Sequence, residues 1–190
     1  SFKPVFPIAQ KSPPTLSFFN LVEAHVLGSI RDRVRLPRIR TSLLYVERDL
    51  GITRPLINKN FKTDGVSLFV EHFGRLLNVS EQGQVAMRAM LQEYLERIDF
   101  DRDDLAVRLF PFTRRHRTAK AELAADPKAV VFDPSISFGR LVVAGTGVAT
   151  ATIADRFLAG DTIDDLVRDF RIERRFVEEA IRCESLLTAA

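Results

Sequence analysis

Residues 161–182 read DTIDDLVRDFRIERRFVEEAIR, and this stretch decides the fold of the C-terminal part of the chain. Residues 161–165 resemble a capping box that opens an amphipathic helix. Residues 171–173 then form a short break before a second amphipathic run. Two helices joined by a three-residue turn predict a helix-turn-helix. Its predicted inner face consists of Ile163, Leu166, Val167, Phe170, Val177, Ala180, Ile181 and Leu187.

Two short β-like runs precede this helix pair, at residues 130–132 and 141–144. Asp133-Pro134 and Gly139 lie between them, and Gly145-Thr146-Gly147 closes the second run. These residues predict a small hairpin, followed by a short helix over residues 153–159 that begins at Thr150 or Thr152. Residues 130–190 are therefore predicted to form one small domain.

The N-terminal half predicts a second helix-turn-helix. Residues 15–32 carry apolar side chains at helical spacing, and Ser17 is a suitable N-cap. Residues 33–36 break the pattern, and Pro37 occupies the favoured first position of the next helix. That helix is predicted over residues 37–50, and Gly51 ends it.

A β-hairpin is predicted after this helix pair. Asp64-Gly65 lies between two β-like runs, residues 60–63 and 66–73, and is a strong hairpin signal. Such a hairpin is typical of the wing of a winged helix. A third run at residues 75–79, a long helix over 80–97 and an edge strand over 106–113 complete the predicted domain 1–113.

The whole chain is thus predicted to be mainly α with short β-hairpins (α+β). Two winged or simple helix-turn-helix units are joined by a linker over residues 114–129, which is charged and then alanine-rich. The 190 residues are 46% apolar and 28% charged, which is the balance of a protein with a buried core. Its one cysteine, the lack of a secretory leader pattern and the lack of a long apolar run predict a cytoplasmic protein outside the membrane.

The charge of the chain is unevenly distributed. Residues 1–60 hold ten basic and four acidic side chains, whereas residues 126–190 hold eight basic and eleven acidic ones. Five arginines lie within residues 31–40 alone. This cluster is typical of a surface that binds a polyanion, and a solvated helix end is the alternative interpretation.

The first turn of the second helix in a helix-turn-helix reaches the base edges of DNA. Arginine reads guanine, and serine and threonine suit bases or phosphates. The second unit also has arginines at its turn and at the start of its second helix. The alternative interpretation is that these arginines pair with neighbouring carboxylates on a solvated helix face. The predicted DNA contacts are Arg38, Arg40, Thr41 and Ser42 at bases, Arg33, Arg35, Lys62 and Arg75 at phosphates, and Arg171, Arg174 and Arg175 in the second unit.

No catalytic, cofactor or metal site is predicted. His25, His72 and His116 do not lie at ligand spacing with Cys183, which is expected to be a buried packing thiol. Residues 142–150 imitate a dinucleotide-binding loop, but Thr150 replaces the third glycine. We expect a non-enzymatic protein, with His72 on the wing.

Residues 129–187 resemble a small prokaryotic helix-turn-helix family that was long catalogued as a domain of unknown function. The resemblance lies in the VFDPSISFGR run at residues 131–140, the VAGT run at 143–146 and the helices that follow. Members of this family are regarded as antitoxins of PIN-domain ribonuclease toxins. The N-terminal half is similar to a MerR-like winged helix, so the chain resembles a two-part VapB-type antitoxin.

The resemblance implies a homodimer that binds the operator DNA of its own operon and neutralises a PIN-domain toxin. The chain departs from the family pattern at Leu141 and Ala149, where proline is usual, and at Gly147, where arginine is usual. The basic N-terminal unit is therefore expected to carry the DNA contact. The alternative is a protein-interaction module whose helix-turn-helix units are scaffolds with only non-specific DNA affinity.

Overall fold

A computed structural model describes residues 9–11, 14–30, 35–114 and 123–188 of the chain. The chain divides into two compact units, Ser1–Val107 and Arg108–Ala190. Across the described residues the architecture is mainly helical with one small four-stranded antiparallel sheet, which confirms the predicted α+β class.

The first unit is built from helices. Its elements are β1 (Gln10–Lys11), β2 (Pro14–Thr15), α1 (Phe18–Gly28), α2 (Leu36–Leu50), a 3-10 turn (Pro55–Ile57), a π-helical turn (Phe61–Gly65), α3 (Val66–Leu77), α4 (Glu81–Leu95) and β3 (Ile98–Phe100). Helix α2 packs against α3, α3 packs against α4, and α1 packs against α4 and the 3-10 turn.

The predicted wing is wrong, because residues 60–79 are mostly helical. The π-helical turn continues into α3, which also includes the first residues of the run predicted at 75–79. Phe61, Phe69 and Phe73 are buried and in contact, with Phe61 edge-on to Phe69 and Phe69 stacked on Phe73. Gly65 has a helical φ of −66°. A Cβ there would lie 2.7 Å from the Phe61 ring, so the glycine makes room for packing and not for a turn.

The predicted helix boundaries at Ser17, Ser80 and Gly51 are confirmed, whereas α1 ends at Gly28 and not at residue 32 as predicted. Ser17 forms a capping box with Asn20 at the start of α1, and the Ser80 hydroxyl accepts from the Gly83 amide at the start of α4. Gly51 ends α2 in the left-handed conformation, at φ +64°.

The second unit packs three helices on a small antiparallel hairpin. Strand β4 (Ala106–Leu109) precedes this hairpin, and Leu109 pairs antiparallel with Phe132. Val130 pairs with Val143 and Phe132 with Leu141, so the predicted β-like runs are confirmed. The remaining elements are β5 (Val130–Phe132), a 3-10 turn (Ser137–Gly139), β6 (Leu141–Val143), α5 (Thr150–Leu158), α6 (Ile163–Phe170) and α7 (Arg174–Thr188).

Helices α6 and α7 are the two consecutive helices predicted for the second unit, and residues 171–173 join them. Thr162 and Asp165 make the predicted capping box, and Arg171 turns the chain in the left-handed conformation, at φ +54°. Leu166, Ile172 and Val177 are buried in one core with residues of both strands, and Cys183 is buried there too.

Part of the predicted linker is packed into the second unit. Residues 115–122 lie outside the described residues. On either side of them, the Thr113 amide donates to the Asp126 carboxylate over 3.2 Å, and Leu123 and Ala129 are buried. The described residues 123–129 therefore form part of the fold of this unit.

Candidate nucleic-acid interface

The N-terminus of α2 is the most basic helix end in the described chain. Its N-cap is Arg35, which makes no side-chain capping bond, and its first turn has no acidic residue. The helices that begin after Ser17, Ser80 and Thr162 are capped by those side chains instead. The N-terminus of a helix carries a partial positive charge. The arginines at this end of α2 therefore add to a potential that is already positive.

The predicted contact residues of α2 differ in their exposure. Arg35, Arg38 and Thr41 are exposed and Arg40 is half-buried, whereas Ser42 is fully buried. Ser42 lies on the face of α2 that packs against α3, and its hydroxyl is bonded to His72. Because Ser42 is fully buried, its side chain cannot contact a DNA base directly. Arg33 lies outside the described residues.

An aromatic and cationic cluster lies between α2 and α3, next to these arginines. His72 Nδ1 is 3.1 Å from Ser42 Oγ, and the imidazole stacks on the Tyr45 ring at 4.3 Å with an interplanar angle of 12°. The Arg48 guanidinium lies 5.8 Å from the centre of the Tyr45 ring. A groove of about 260 Å³ opens here, and we call it the α2–α3 groove; it is lined by Thr41, Leu44, Tyr45, Arg48 and His72.

The three residues predicted on the wing, Lys62, His72 and Arg75, lie on helical segments instead. Lys62 is on the π-helical turn, and its ammonium pairs with the Glu96 carboxylate over 3.1 Å. Arg75 is exposed on α3, one turn after His72. Its charge helps to lower the pKa of His72, after the larger effect of burial. Arg75 therefore lies close enough to act on His72, although it does not line the α2–α3 groove.

Acidic neighbours pair with the arginines of the second unit. Arg174 bonds to Asp164 and Glu178, and the hydrogen bond to Asp164 is the main reason why its pKa is raised. Arg175 pairs with Glu173 over 2.9 Å and covers the Phe176 ring. Arg171 is exposed at the left-handed turn. Of the three predicted contacts here, two are thus already neutralised.

By contrast, the cations around α2 have no such neutralisation. Across the residues that the structure describes, no carboxylate lies within ion-pair distance of Arg35, Arg38, Arg40, Arg48 or Arg75. Four of these five side chains are exposed. The structure brings Arg48, Tyr45 and His72 beside the predicted cluster. Sequence reasoning missed them because only the helical identity of residues 66–77 shows which residues face α2.

His25 and Cys183 are both packing residues of the described chain. His25 is held by the Tyr94 carbonyl at 3.0 Å, and burial lowers its pKa to about 4. Burial raises the pKa of the Cys183 thiol to about 11, as expected of a packing thiol. No group of three or more potential metal ligands was found among the described residues. Nor is any helix found there both long and apolar enough to cross a membrane.

Comparison with known proteins identifies relatives for both parts of the chain. Residues 130–182 match the family model described as "Protein of unknown function (DUF433)". Over 179 residues the chain is 28% identical to "Putative antitoxin VapB45" of Mycobacterium tuberculosis, a match that covers 87% of this chain and 70% of the relative. A crystal structure of Rv2018 from the same organism superimposes with a TM-score of 0.67 at 23% identity, covering 93% of this chain and 83% of that one.

The structural match supports the fold alone, because the two sequences are less than 25% identical. The family match covers the segment on which the sequence resemblance was based. The comparisons therefore show similarity to the DUF433 family model over residues 130–182, and similarity over most of the chain to a protein described as a putative antitoxin.

Proposed function

We propose that this chain is a non-enzymatic antitoxin that binds operator DNA as a homodimer, represses its own operon and neutralises a PIN-domain toxin. The similarity to an antitoxin supports the general role. The DNA-binding part of the proposal rests on one observation, the exposed and unneutralised arginines at the start of α2.

The electrostatics favour α2 over α7 as the DNA-contacting helix. Binding to DNA gains free energy when cations replace the counterions condensed on phosphates. An arginine that already pairs with a carboxylate, such as Arg174, must first break that pair. Arg35 and Arg38 have no such carboxylate partner in the described chain, and Arg40 lies beside them. They form the proposed contact surface together with Thr41.

The experiment is fluorescence anisotropy with a duplex from upstream of the coding region, with a scrambled duplex beside it at two salt concentrations. The proposal expects a preference of about a thousandfold or more for the upstream duplex. The variant Arg38→Ala/Arg40→Ala should lose that preference. The matched control is Arg174→Ala/Arg175→Ala, which removes two arginines already paired with carboxylates.

A second candidate is a protein-interaction module whose helices serve as scaffolds. The helical conformation of the predicted wing and the burial of Ser42 favour this candidate, since both reduce the DNA-reading surface. Equal and weak binding of both duplexes, lost at higher salt, would support it and contradict specific repression. Co-purification with a PIN-domain protein then tests the toxin partner separately.

A further inference from the structure

The α2–α3 groove contains charged and aromatic groups that the proposed base contacts do not use. Tyr45 and Arg48 enter it from α2 beside Thr41, and His72 enters it from α3. At about 260 Å³ it is slightly smaller than the roughly 300 Å³ at which small-molecule pockets begin. The groove therefore suits a single chemical group of a larger ligand.

The His72 ring is held in a fixed orientation. Its Nδ1 atom is bonded to the buried Ser42 hydroxyl, and its face is stacked on Tyr45. A serine hydroxyl both donates and accepts hydrogen bonds, so Ser42 can hold Nδ1 whether or not that atom carries a proton. The described residues provide no partner for Nε2, which is free to donate to a ligand.

Two cations act on this ring, and both come from the elements around it. Arg48 projects from α2 over the Tyr45 ring, and Arg75 follows His72 by one turn of α3. The carboxylates of Asp49 and Glu71 are adjacent in sequence, but within the described chain neither is paired with Arg48 or Arg75. A half-buried imidazole near two cations is an arrangement that an anion would stabilise.

We propose that the α2–α3 groove binds one phosphate of a nucleic-acid backbone, and that His72 takes up a proton when the phosphate binds. In the bound state Nδ1–H donates to Ser42, and Nε2–H donates to a phosphate oxygen. Arg48 and Arg75 supply two further charges, and the Thr41 hydroxyl lies at the wall of the groove. This inference rests on the proposed function and specifies one of its backbone contacts.

The sign of the pH dependence follows from the environment of His72. In the free protein, burial first and then Arg75 and Arg48 lower its pKa below the ordinary value of 6.5, so the ring is neutral at pH 7.5. A bound phosphate favours the cation and raises that pKa. Affinity therefore increases as the pH falls between the two pKa values, by up to about tenfold per pH unit for one linked proton.

The decisive measurement is an NMR titration of the histidine rings, alone, with the upstream duplex, with the scrambled duplex and with inorganic phosphate. The duplex should raise the pKa of His72 by about one unit or more, and inorganic phosphate should raise it less. His25 is the internal reference in the same unit, because its ring is held at the Tyr94 carbonyl. Its titration should not change.

A variant tests the same linkage through affinity. Glutamine at position 72 does not take up a proton. The duplex affinity of His72→Gln should therefore lose the pH dependence of up to about tenfold per pH unit that is expected of the wild-type chain. Arg102→Gln removes an exposed cation elsewhere in the first unit and should keep the wild-type pH dependence. The NMR titration on unmodified protein decides the question if His72→Gln fails to fold.

The outcomes separate this inference from the proposed function. Preferential binding of the upstream duplex with an unchanged His72 titration overturns the inference and leaves the proposed function intact. A His72 pKa that rises with either duplex supports the inference, because the contact is to the backbone, and equal affinities for the two duplexes in the anisotropy measurement overturn specific repression separately. A response to inorganic phosphate alone, with no duplex bound, overturns the assignment to a nucleic-acid backbone.

Discussion

Arg54 and Glu23 form a bidentate ion pair in the first unit, with Nε 2.9 Å from Oε1 and Nη2 2.8 Å from Oε2. The Glu23 carboxylate is only 2% exposed. Arg54 reaches it from a left-handed backbone position, at φ +54°, where its amide is held by the Glu47 carboxylate over 3.0 Å. Thirty-one residues separate the partners, so this pair fixes the 3-10 turn against α1.

Breaking this pair should destabilise the first unit strongly. Arg54→Met leaves the buried Glu23 carboxylate without its cation, although the Asn20 amide still donates to it over 3.0 Å, and we expect a loss of about 2–4 kcal/mol in the free energy of unfolding. Lys59→Met is the matched control, because it breaks the exposed Lys59–Asp104 pair, for which we expect less than about 1 kcal/mol. Urea denaturation measures both. Equal losses for the two variants would show that Glu23 reaches water once Arg54 is removed.

A second prediction tests the helical assignment of residues 61–77. Gly65→Ala should destabilise the chain by about 1–3 kcal/mol, since its methyl group would overlap the Phe61 ring. Phe61→Leu also destabilises by leaving a cavity, but Gly65→Ala should cost much less in that background. A double-mutant cycle measures this coupling.

A hairpin would give a different result in the same cycle. If Gly65 occupied a left-handed turn, alanine would be strained there whatever residue stands at position 61. Additive effects of the two substitutions would therefore contradict the helical conformation.

The contrast between the predicted hairpin and the observed helix at residues 61–77 shows which features can be predicted from the sequence and which cannot. Ser17, Gly51 and Thr162 mark helix ends through contacts within a few residues, so their signals are readable from sequence alone. The segment from Phe61 to Phe73 is rich in valine and phenylalanine and contains Asp-Gly, which is a strand and turn composition. Its helical conformation is set by burial on several sides, which overrides these local preferences.

The residues of the candidate interface also fall into two groups, those that the sequence predicts and those that it does not. The charge cluster around Arg38 is visible in the sequence because its members are adjacent. The His72–Ser42 bond joins residues 30 positions apart, and the Thr113–Glu179 bond joins residues 66 apart. Such pairs depend on the packing of whole helices, and a single sequence contains no local pattern that specifies them.

A third prediction concerns the trade between stability and binding at Arg35. This residue has the extended backbone of an N-cap, at φ −76° and ψ 129°, but it makes no capping bond. Arg35→Ser should raise the free energy of unfolding by about 0.5–1 kcal/mol, because it adds a cap and removes a cation from the positive end of α2.

The same substitution should weaken DNA binding if Arg35 contacts a phosphate. The slope of log affinity against log salt concentration should then fall by about one. Lys128→Ser is the control for loss of one charge, since Lys128 covers the Phe110 ring in the second unit. A more stable Arg35→Ser protein with an unchanged salt slope would exclude Arg35 from the interface while leaving the capping argument intact.

The last prediction concerns Glu179, which is buried in the second unit on α7. Thr113 Oγ1 donates to it over 2.5 Å, and Arg114 and Arg182 each donate over 2.6 Å. Burial alone would raise the pKa of Glu179, but hydrogen bonds from Arg114 and Thr113 and the nearby arginine charges hold it below its ordinary value of 4.5. The folded state therefore favours the ionised form.

Since the folded-state pKa is depressed, the stabilisation by Glu179 is fully present above pH 4.5 and is lost as the pH falls through the folded-state value. Glu179→Gln should lower the melting temperature at pH 7, and its deficit relative to the wild-type chain should shrink steadily towards pH 3. Glu178→Gln, which removes a more exposed carboxylate from the neighbouring position, is the matched control. A Glu179→Gln deficit that stays constant from pH 7 to pH 3 would show that the network holds the side chain by hydrogen bonding alone, without a contribution from its charge.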